Sequence, residues 1–306
     1  MELSLHLGAH RTGTTALQQA CRNNAGLLAD ANIEVWGSDV MRAPALERFP
    51  NIWPAENSDA GKKAIKAAVT AMQNAIGERI DGGRAHLLIT EENLLGSMPA
   101  NLREQSLYPN AGARMLAYRQ LFPVPPDRIY LCLRSYASYW ASAYSFAALR
   151  NELPEFSQLC DGLVQGPRGW IDVLADLSDA FPGSQILVWE HKKTAQMLGE
   201  VLAMMFGPIA AGLDVPKNLK NRALNAAAFE QALQLRKSDP DLTPSQLQDA
   251  VALLDKAGGA PFQPFSGQQV QVLNRRFADD LAQISAGVLP GVEFIEHFGP
   301  DAGGTA

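Results

Sequence analysis

An α/β domain, with a mostly parallel sheet flanked by helices and a helical C-terminal part, is the fold class this sequence predicts. Three observations predict it. The runs HLLIT at 86–90, RIYLCL at 128–133 and QILVW at 185–189 are short, apolar and bounded by loop signals, as strands covered on both faces are. Helical stretches lie between them, at 135–150 and at 169–180, where Trp170, Leu174 and Leu177 fall in register. After Pro216 the strand patterns stop, so residues 1–306 read as one domain, a core over 1–215 with a helical extension over 216–306.

The elements follow in order. Residues 2–7 alternate polar residues with Leu until Gly8, a short strand entering a loop. Residues 14–29 predict a helix, with Leu17, Cys21, Leu27 and Leu28 near helical spacing. Pro44, Pro50 and Pro54 make 42–59 irregular. The clearest helix spans 62–80, where Ile65, Ala68, Val69, Met72, Ala75 and Ile76 recur at three and four and Asp81-Gly82-Gly83 ends it. Beyond Pro216, residues 223–237 look helical. Thr243-Pro244-Ser245-Gln246 has the form of a capping box with Pro at the first helical position, opening a helix that ends at Gly258-Gly259. Ser266 to Gln269 repeats that cap before 270–284, and Gly303-Gly304-Thr305-Ala306 reads as a frayed end.

Apolar residues at 47% supply ample core, and charged residues are 19%. A net charge of −6 argues against a sequence-nonspecific nucleic-acid binder, which needs a basic surface to displace counterions. Cys21, Cys132 and Cys160 are an odd, widely spaced set, which speaks against a disulfide scaffold or a structural zinc site. The chain opens directly on a strand pattern, and no run approaches the roughly 18 apolar residues a membrane span needs. A reduced, cytoplasmic, soluble protein is therefore expected.

The segment Leu5-His6-Leu7-Gly8-Ala9-His10-Arg11-Thr12-Gly13-Thr14-Thr15-Ala16-Leu17 carries the most chemistry. A strand delivers the chain to a glycine-containing turn and a helix leaves it. Such a turn aims free backbone N–H groups at one spot, with the positive end of the helix behind them. Thr14 and Thr15 add hydroxyls. Against the nucleotide loop GxxxxGK[ST], Gly8 and Gly13 have the right spacing, but Thr14 stands where Lys belongs. The nearby cation is Arg11.

HLGAHRTGTTALQ resembles the 5′-phosphosulfate loop of sulfotransferases that use 3′-phosphoadenylyl sulfate. It is most similar to the bacterial branch, whose loops read His-x-Gly-x-His-Lys-Thr-Gly-Thr-Thr. Arg11 takes the place of that Lys, offering a planar fork in place of a compact mobile charge. The resemblance implies a P-loop-like sulfotransferase fold, with His10, Arg11, Thr12, Gly13, Thr14 and Thr15 around the phosphosulfate. A second match is Arg134, directly after the strand 129–133, with Ser142 eight residues on and Tyr144 beyond. This is similar to the family's 3′-phosphate element, although Tyr136 stands where the family often has Pro. An Arg at the carboxyl end of a parallel strand faces the ligand crevice, and Arg plus hydroxyl suits a phosphate. Arg222, in Lys220-Asn221-Arg222-Ala223-Leu224, is implied near the 3′-phosphate or adenine.

Sulfuryl transfer needs a base for the acceptor proton and positive charge at the departing phosphate oxygen. Arg11, the loop amides and Thr14 meet the second need. For the first, Thr90-Glu91-Glu92-Asn93 follows HLLIT at a strand's carboxyl end, similar to stretches where relatives hold a Glu. Glu91 and Glu92 should point to opposite sides, and alignment favours Glu92 as base over Glu91. His10 is a further possible base, read rather as a ligand of the phosphosulfate or acceptor, and His6 as a packed core histidine. No metal site is expected.

The resemblance thus implies sulfuryl transfer from 3′-phosphoadenylyl sulfate to a small-molecule or carbohydrate hydroxyl, with 3′,5′-adenosine bisphosphate as product. Two other classes stay open. A P-loop kinase would want Lys at position 14 and a strand-end Asp for magnesium. The other is a protein of the same fold that binds nucleotide and transfers nothing. Stretches 35–57, 96–112 and 152–168 are expected to shape the acceptor site, where Trp36, Trp53, Tyr108 and Phe156 suit either stacking or packing.

Overall fold

Successive strand side chains point to opposite faces, and that alternation organises this core. The computed structural model describes residues 1–41, 59–192, 195–216 and 223–298; Trp53, Arg222 and the C-terminal Gly303–Ala306 lie outside them. In chain order the elements are β1 (Glu2–His6), α1 (Thr14–Asn23), α2 (Ala25–Asp30), β2 (Ile33–Trp36), α3 (Ser38–Met41), α4 (Asp59–Asp81) and β3 (His86–Thr90). Then come α5 (Met98–Arg103), α6 (Ala111–Arg119), β4 (Arg128–Leu133), α7 (Tyr136–Ala147), α8 (Phe156–Gln165), α9 (Trp170–Ala180), β5 (Gln185–Glu190) and α10 (Ala195–Phe206). The last are α11 (Ala226–Ser238), α12 (Pro244–Ala250), α13 (Ala252–Lys256), α14 (Gly267–Ser285) and β6 (Val292–Phe294). Among the described residues, six strands form one sheet in the order β2-β3-β1-β4-β5-β6, every neighbouring pair parallel.

Leu3, Leu5, Leu87, Ile89, Ile129, Leu131 and Leu133 enter the larger apolar cluster with Tyr139 and Ala143 of α7 and Trp170 and Leu174 of α9. Leu88, Tyr130, Cys132, Leu187 and Trp189 enter the other, with Leu17 and Cys21 of α1 and Val201, Leu202 and Met205 of α10. A parallel sheet covered by helices on both faces is the class the sequence predicts. The chain leaves β1 for β2 and β3 on one side, then crosses to β4, β5 and β6 on the other. Ligands in such sheets bind beyond the carboxyl ends of the strands, near that reversal. Because β3, β1 and β4 are adjacent and parallel, the segments that follow them share one edge.

Several boundaries differ from the sequence expectation, each for a local reason. The helix expected over 14–29 breaks at Asn24, whose amide donates to Ala20 O (2.8 Å) and Asp214 O (2.9 Å) while its carbonyl accepts from the Asp214 amide (2.8 Å). Both edge strands escape the apolar-run signal: β2 is mostly half-buried, and β6 is three residues long. Strands therefore do not stop at Pro216, since β6 completes the sheet against β5. The helix expected to run to Gly258 is divided at Val251 into α12 and α13. Both capping boxes are present, at Thr243–Gln246 and Ser266–Gln269. The end of α4 closes as expected, with Gly83 N–H bonded to Ile80 O (3.1 Å) and Arg84 N–H to Arg79 O (3.0 Å). Among the described residues no helix is long and apolar enough to cross a membrane.

Candidate functional site

The loop between β1 and α1 starts as an extension of the sheet. The Cys132 amide donates to Gly8 O (2.7 Å) and the Ala9 amide to Cys132 O (3.3 Å), which ties the loop to β4. Gly8 has φ +96°, and a Cβ there would meet Glu92 Cβ at 3.2 Å and Thr14 Oγ1 at 3.3 Å. The position needs glycine on both counts. The turn then closes on itself, as the hydroxyls of Thr12 (2.6 Å) and Thr14 (3.4 Å) both donate to Ala9 O. Arg11 takes a left-handed φ of 64°, a conformation that costs a non-glycine residue on the order of 1–3 kcal/mol and is found where the surroundings enforce it. Gly13 precedes α1 with no side-chain cap, and the amides of Ala16 and Leu17 already bond to Gly13 O. Thr14 and Thr15 open the first turn of α1, the end of a helix whose dipole favours an anion. Thr15, half-buried, lies in that first turn.

Two guanidiniums converge on this loop. Arg134 donates through Nη1 to Arg11 O (2.6 Å) and through Nε to Ser138 Oγ (2.8 Å). Arg11 donates through Nε to Ser142 Oγ (3.1 Å) and lies over the Phe146 ring at 4.7 Å. Arg150 stacks on the same ring at 3.7 Å. Ser142 is thus paired with Arg11, and the hydroxyl beside Arg134 is Ser138, in the first turn of α7. Burial, then repulsion from Arg11, lowers the Arg134 pKa to about 10. Burial lowers Arg11 to about 10 as well, with Glu92 opposing the shift and Arg150 adding to it. Both stay protonated at neutral pH. Positive charges held together inside a protein are an environment that an anion relieves.

The acidic pair divides cleanly. Glu91 is fully buried and caps the 3₁₀ turn Glu92–Leu94, accepting from the Asn93 amide (3.0 Å). Glu92 is half-buried, sits against Gly8, and acts electrostatically on Arg11. The turn is anchored from behind by Arg114, which donates to Leu94 O (2.9 Å) and Asn93 O (2.7 Å).

His10 is 2% exposed. Its Nδ1 lies 2.8 Å from the Tyr108 hydroxyl, which also accepts from the His10 amide (3.0 Å), and its Nε2 lies 3.2 Å from Asn93 Oδ1. Of the aromatics expected to stack or pack, Trp36, Tyr108 and Phe156 are all buried. Trp36 carries Arg79 over its ring, and Phe156 packs on Tyr144 and Phe265. Sequence reasoning assigned no site role to Asn93, Ser138, Phe146 or Arg150, and offered Tyr108 only as a stacking or packing aromatic. The spacing of four from Arg134 to Ser138 was a usable signal; for Tyr108 there was none.

On the β5 side of the loop, a cavity of about 50 Å³ is lined by Gly13, Ala16, Trp189, His191, Lys192 and Met197, among others. Trp189 is buried there, and its indole N–H has no hydrogen-bond partner among the described residues. His6 also faces this cavity, its Nδ1 held by Thr90 Oγ1 (2.9 Å) and its pKa lowered by burial to about 4. Among the described residues no cluster of His, Cys, Asp and Glu is arranged to hold a metal ion.

The turn that carries Arg134 is clamped by the C-terminal helix. Trp170 Nε1 donates to Arg134 O (2.9 Å), and the Trp170 amide meets both the Tyr136 hydroxyl (2.6 Å) and Asp280 Oδ2 (2.9 Å). Tyr136 in turn donates to Asp280. Gly169 makes the junction possible, because a Cβ there would lie 2.7 Å from both Asp280 Oδ2 and the Tyr136 hydroxyl oxygen. Its φ of −119° suits any residue, so the constraint is space alone. Gly169→Ala is expected to destabilise the protein by about 1–3 kcal/mol, read as a lower urea midpoint.

No family model matches the chain, and no curated protein matches it. Among solved structures it is similar to one described as "Crystal Structure of Sulfotransferase from Alicyclobacillus acidocaldarius", at 14% identity and a TM-score of 0.36, covering 82% of this chain and 96% of that one.

Proposed function

We propose that the protein transfers the sulfuryl group of 3′-phosphoadenylyl sulfate to an acceptor hydroxyl, a carbohydrate being the first class to test. The observation that carries this reading is the meeting of Arg11 and Arg134 at the start of α1, with Glu92 packed by its Cβ against Gly8 and acting electrostatically on Arg11. The donor has anionic groups at both ends of its ribose. The loop amides and Arg11 would hold the 5′-phosphosulfate, and Arg134 with the Ser138 and Ser142 hydroxyls the 3′-phosphate.

In the transfer, Glu92 takes the acceptor proton as the acceptor oxygen bonds to sulfur. The bond from sulfur to the 5′-phosphate oxygen breaks, and its electron pair stays on the departing 3′,5′-adenosine bisphosphate. Arg11 and the amides stabilise that growing charge. Thr14 in place of a loop Lys supports this donor over ATP.

Thermal shift gives the first test. 3′,5′-Adenosine bisphosphate at 100 times its Kd is expected to add about 2.7 kcal/mol of stability, with ATP and magnesium adding little. Preference for ATP and magnesium overturns the proposal. Transfer of labelled sulfate to sugars, lipids and phenols then separates an enzyme from a protein that only binds the nucleotide.

A further inference from the structure

We propose that Tyr108 is a positioning residue that fixes His10 as the tautomer protonated at Nε2, so that His10 serves the site as a hydrogen-bond donor and leaves proton removal to Glu92. The last clause rests on the activity proposed above; the tautomer does not.

The assignment follows from counting hydrogens. The His10 backbone amide can only donate, so at 3.0 Å the Tyr108 oxygen accepts from it. The hydroxyl then has one hydrogen to give, and two groups are in reach of it: His10 Nδ1 at 2.8 Å and the Tyr139 hydroxyl. The Tyr139 oxygen already accepts from Asn101 (2.8 Å), so its own hydrogen goes to the second lone pair of Tyr108 and the Tyr108 hydrogen is left for His10. If that hydrogen goes to the Nδ1 lone pair, the ring proton is on Nε2, where the Asn93 carbonyl oxygen at 3.2 Å accepts it. All three bonds close. The opposite tautomer puts two N–H groups on one phenol oxygen and sets a bare Nε2 against an acceptor.

Tyr108 is held tightly enough to impose this choice. It is fully buried in a left-handed backbone conformation, φ 46°, that an aromatic residue seldom adopts. Its amide donates to Asn101 Oδ1 (3.2 Å), and Asn101 donates in turn to the Tyr139 hydroxyl (2.8 Å). Its ring is flanked by Tyr139 and Trp170 at 6.4 and 6.3 Å. Strain of this kind persists only where the surroundings over-determine it, and here it delivers one hydroxyl to the anion-facing loop. Asn93, which accepts the Nε2 proton, directly follows Glu92 in the chain.

The test uses the full chain labelled with 15N-histidine and a long-range proton–nitrogen correlation. A His10→Gln spectrum identifies His10 among the five histidines. The expected wild-type pattern has a proton on Nε2 and a bare Nδ1. In Tyr108→Phe that fixed tautomer should be lost, with affinity for 3′,5′-adenosine bisphosphate falling about tenfold. A proton on Nδ1 in the wild type, or an unchanged pattern in Tyr108→Phe, overturns the proposal. Should Tyr108→Phe not fold, the wild-type spectrum decides by itself. For the division of labour, His10→Gln keeps a donor near the Nε2 position and should lower sulfate transfer by only about tenfold; a loss as large as that of Glu92→Gln contradicts it. Absence of transfer in the wild type strikes the proposed activity and leaves the tautomer standing.

Discussion

Arg134→Ala is expected to weaken binding of 3′,5′-adenosine bisphosphate about 100-fold or more, and of adenosine 5′-phosphate by about tenfold less than that. Two losses add in the first case. The guanidinium donates to Arg11 O and so braces the loop, a contribution shared by both ligands. Its direct bonds to a 3′-phosphate are felt by the bisphosphate alone. A hydrogen bond to a charged group contributes roughly 1.5–3 kcal/mol, and each 1.4 kcal/mol is a decade in Kd. Arg134→Lys keeps the charge but loses the fork that reaches Arg11 O and Ser138 Oγ together, so it should fall between wild type and alanine. Calorimetric titration of both nucleotides against the three proteins decides the matter. Equal losses for the two ligands would make Arg134 a brace only.

How much of this was legible in the sequence depends on how local each signal is. The strands β3, β4 and β5 are apolar on both faces, so composition over five or six residues reveals them. The strands β2 and β6 lie at the edges, where burial is partial and alternation weak. Caps are local by nature, which is why Thr243 and Ser266 could be read directly. In the site, Gly8, Gly13, Arg11 and Arg134 announce themselves through spacing and position after strands. The pairings among them do not. That Ser142 meets Arg11 while Ser138 meets Arg134 depends on how α7 leaves β4, and Tyr108 reaches His10 across 98 residues. Asp280 lies 144 residues from the Tyr136 it receives a bond from, and nothing in a helical pattern near the C-terminus points to the turn that carries Arg134.

Glu92→Gln is expected to lower sulfate transfer about 10²–10⁴-fold while leaving bisphosphate binding within about a factor of ten of wild type. The substitution preserves shape and removes the proton acceptor. Because Glu92 acts on Arg11 as an opposing charge, its neutralisation also frees some positive potential, so bisphosphate affinity should stay level or rise. A rise in affinity with a collapse in transfer distinguishes a base from a residue that merely shapes the loop, whose loss would weaken both. Glu91→Gln supplies the contrast. Glu91 is fully buried and caps the turn through the Asn93 amide, so its replacement should cost about 1–3 kcal/mol of stability and lower the melting temperature. Its effect on transfer should be no larger than that loosening explains. If instead Glu91→Gln abolishes transfer in a protein that melts normally, the base is Glu91, and Glu92 has another task.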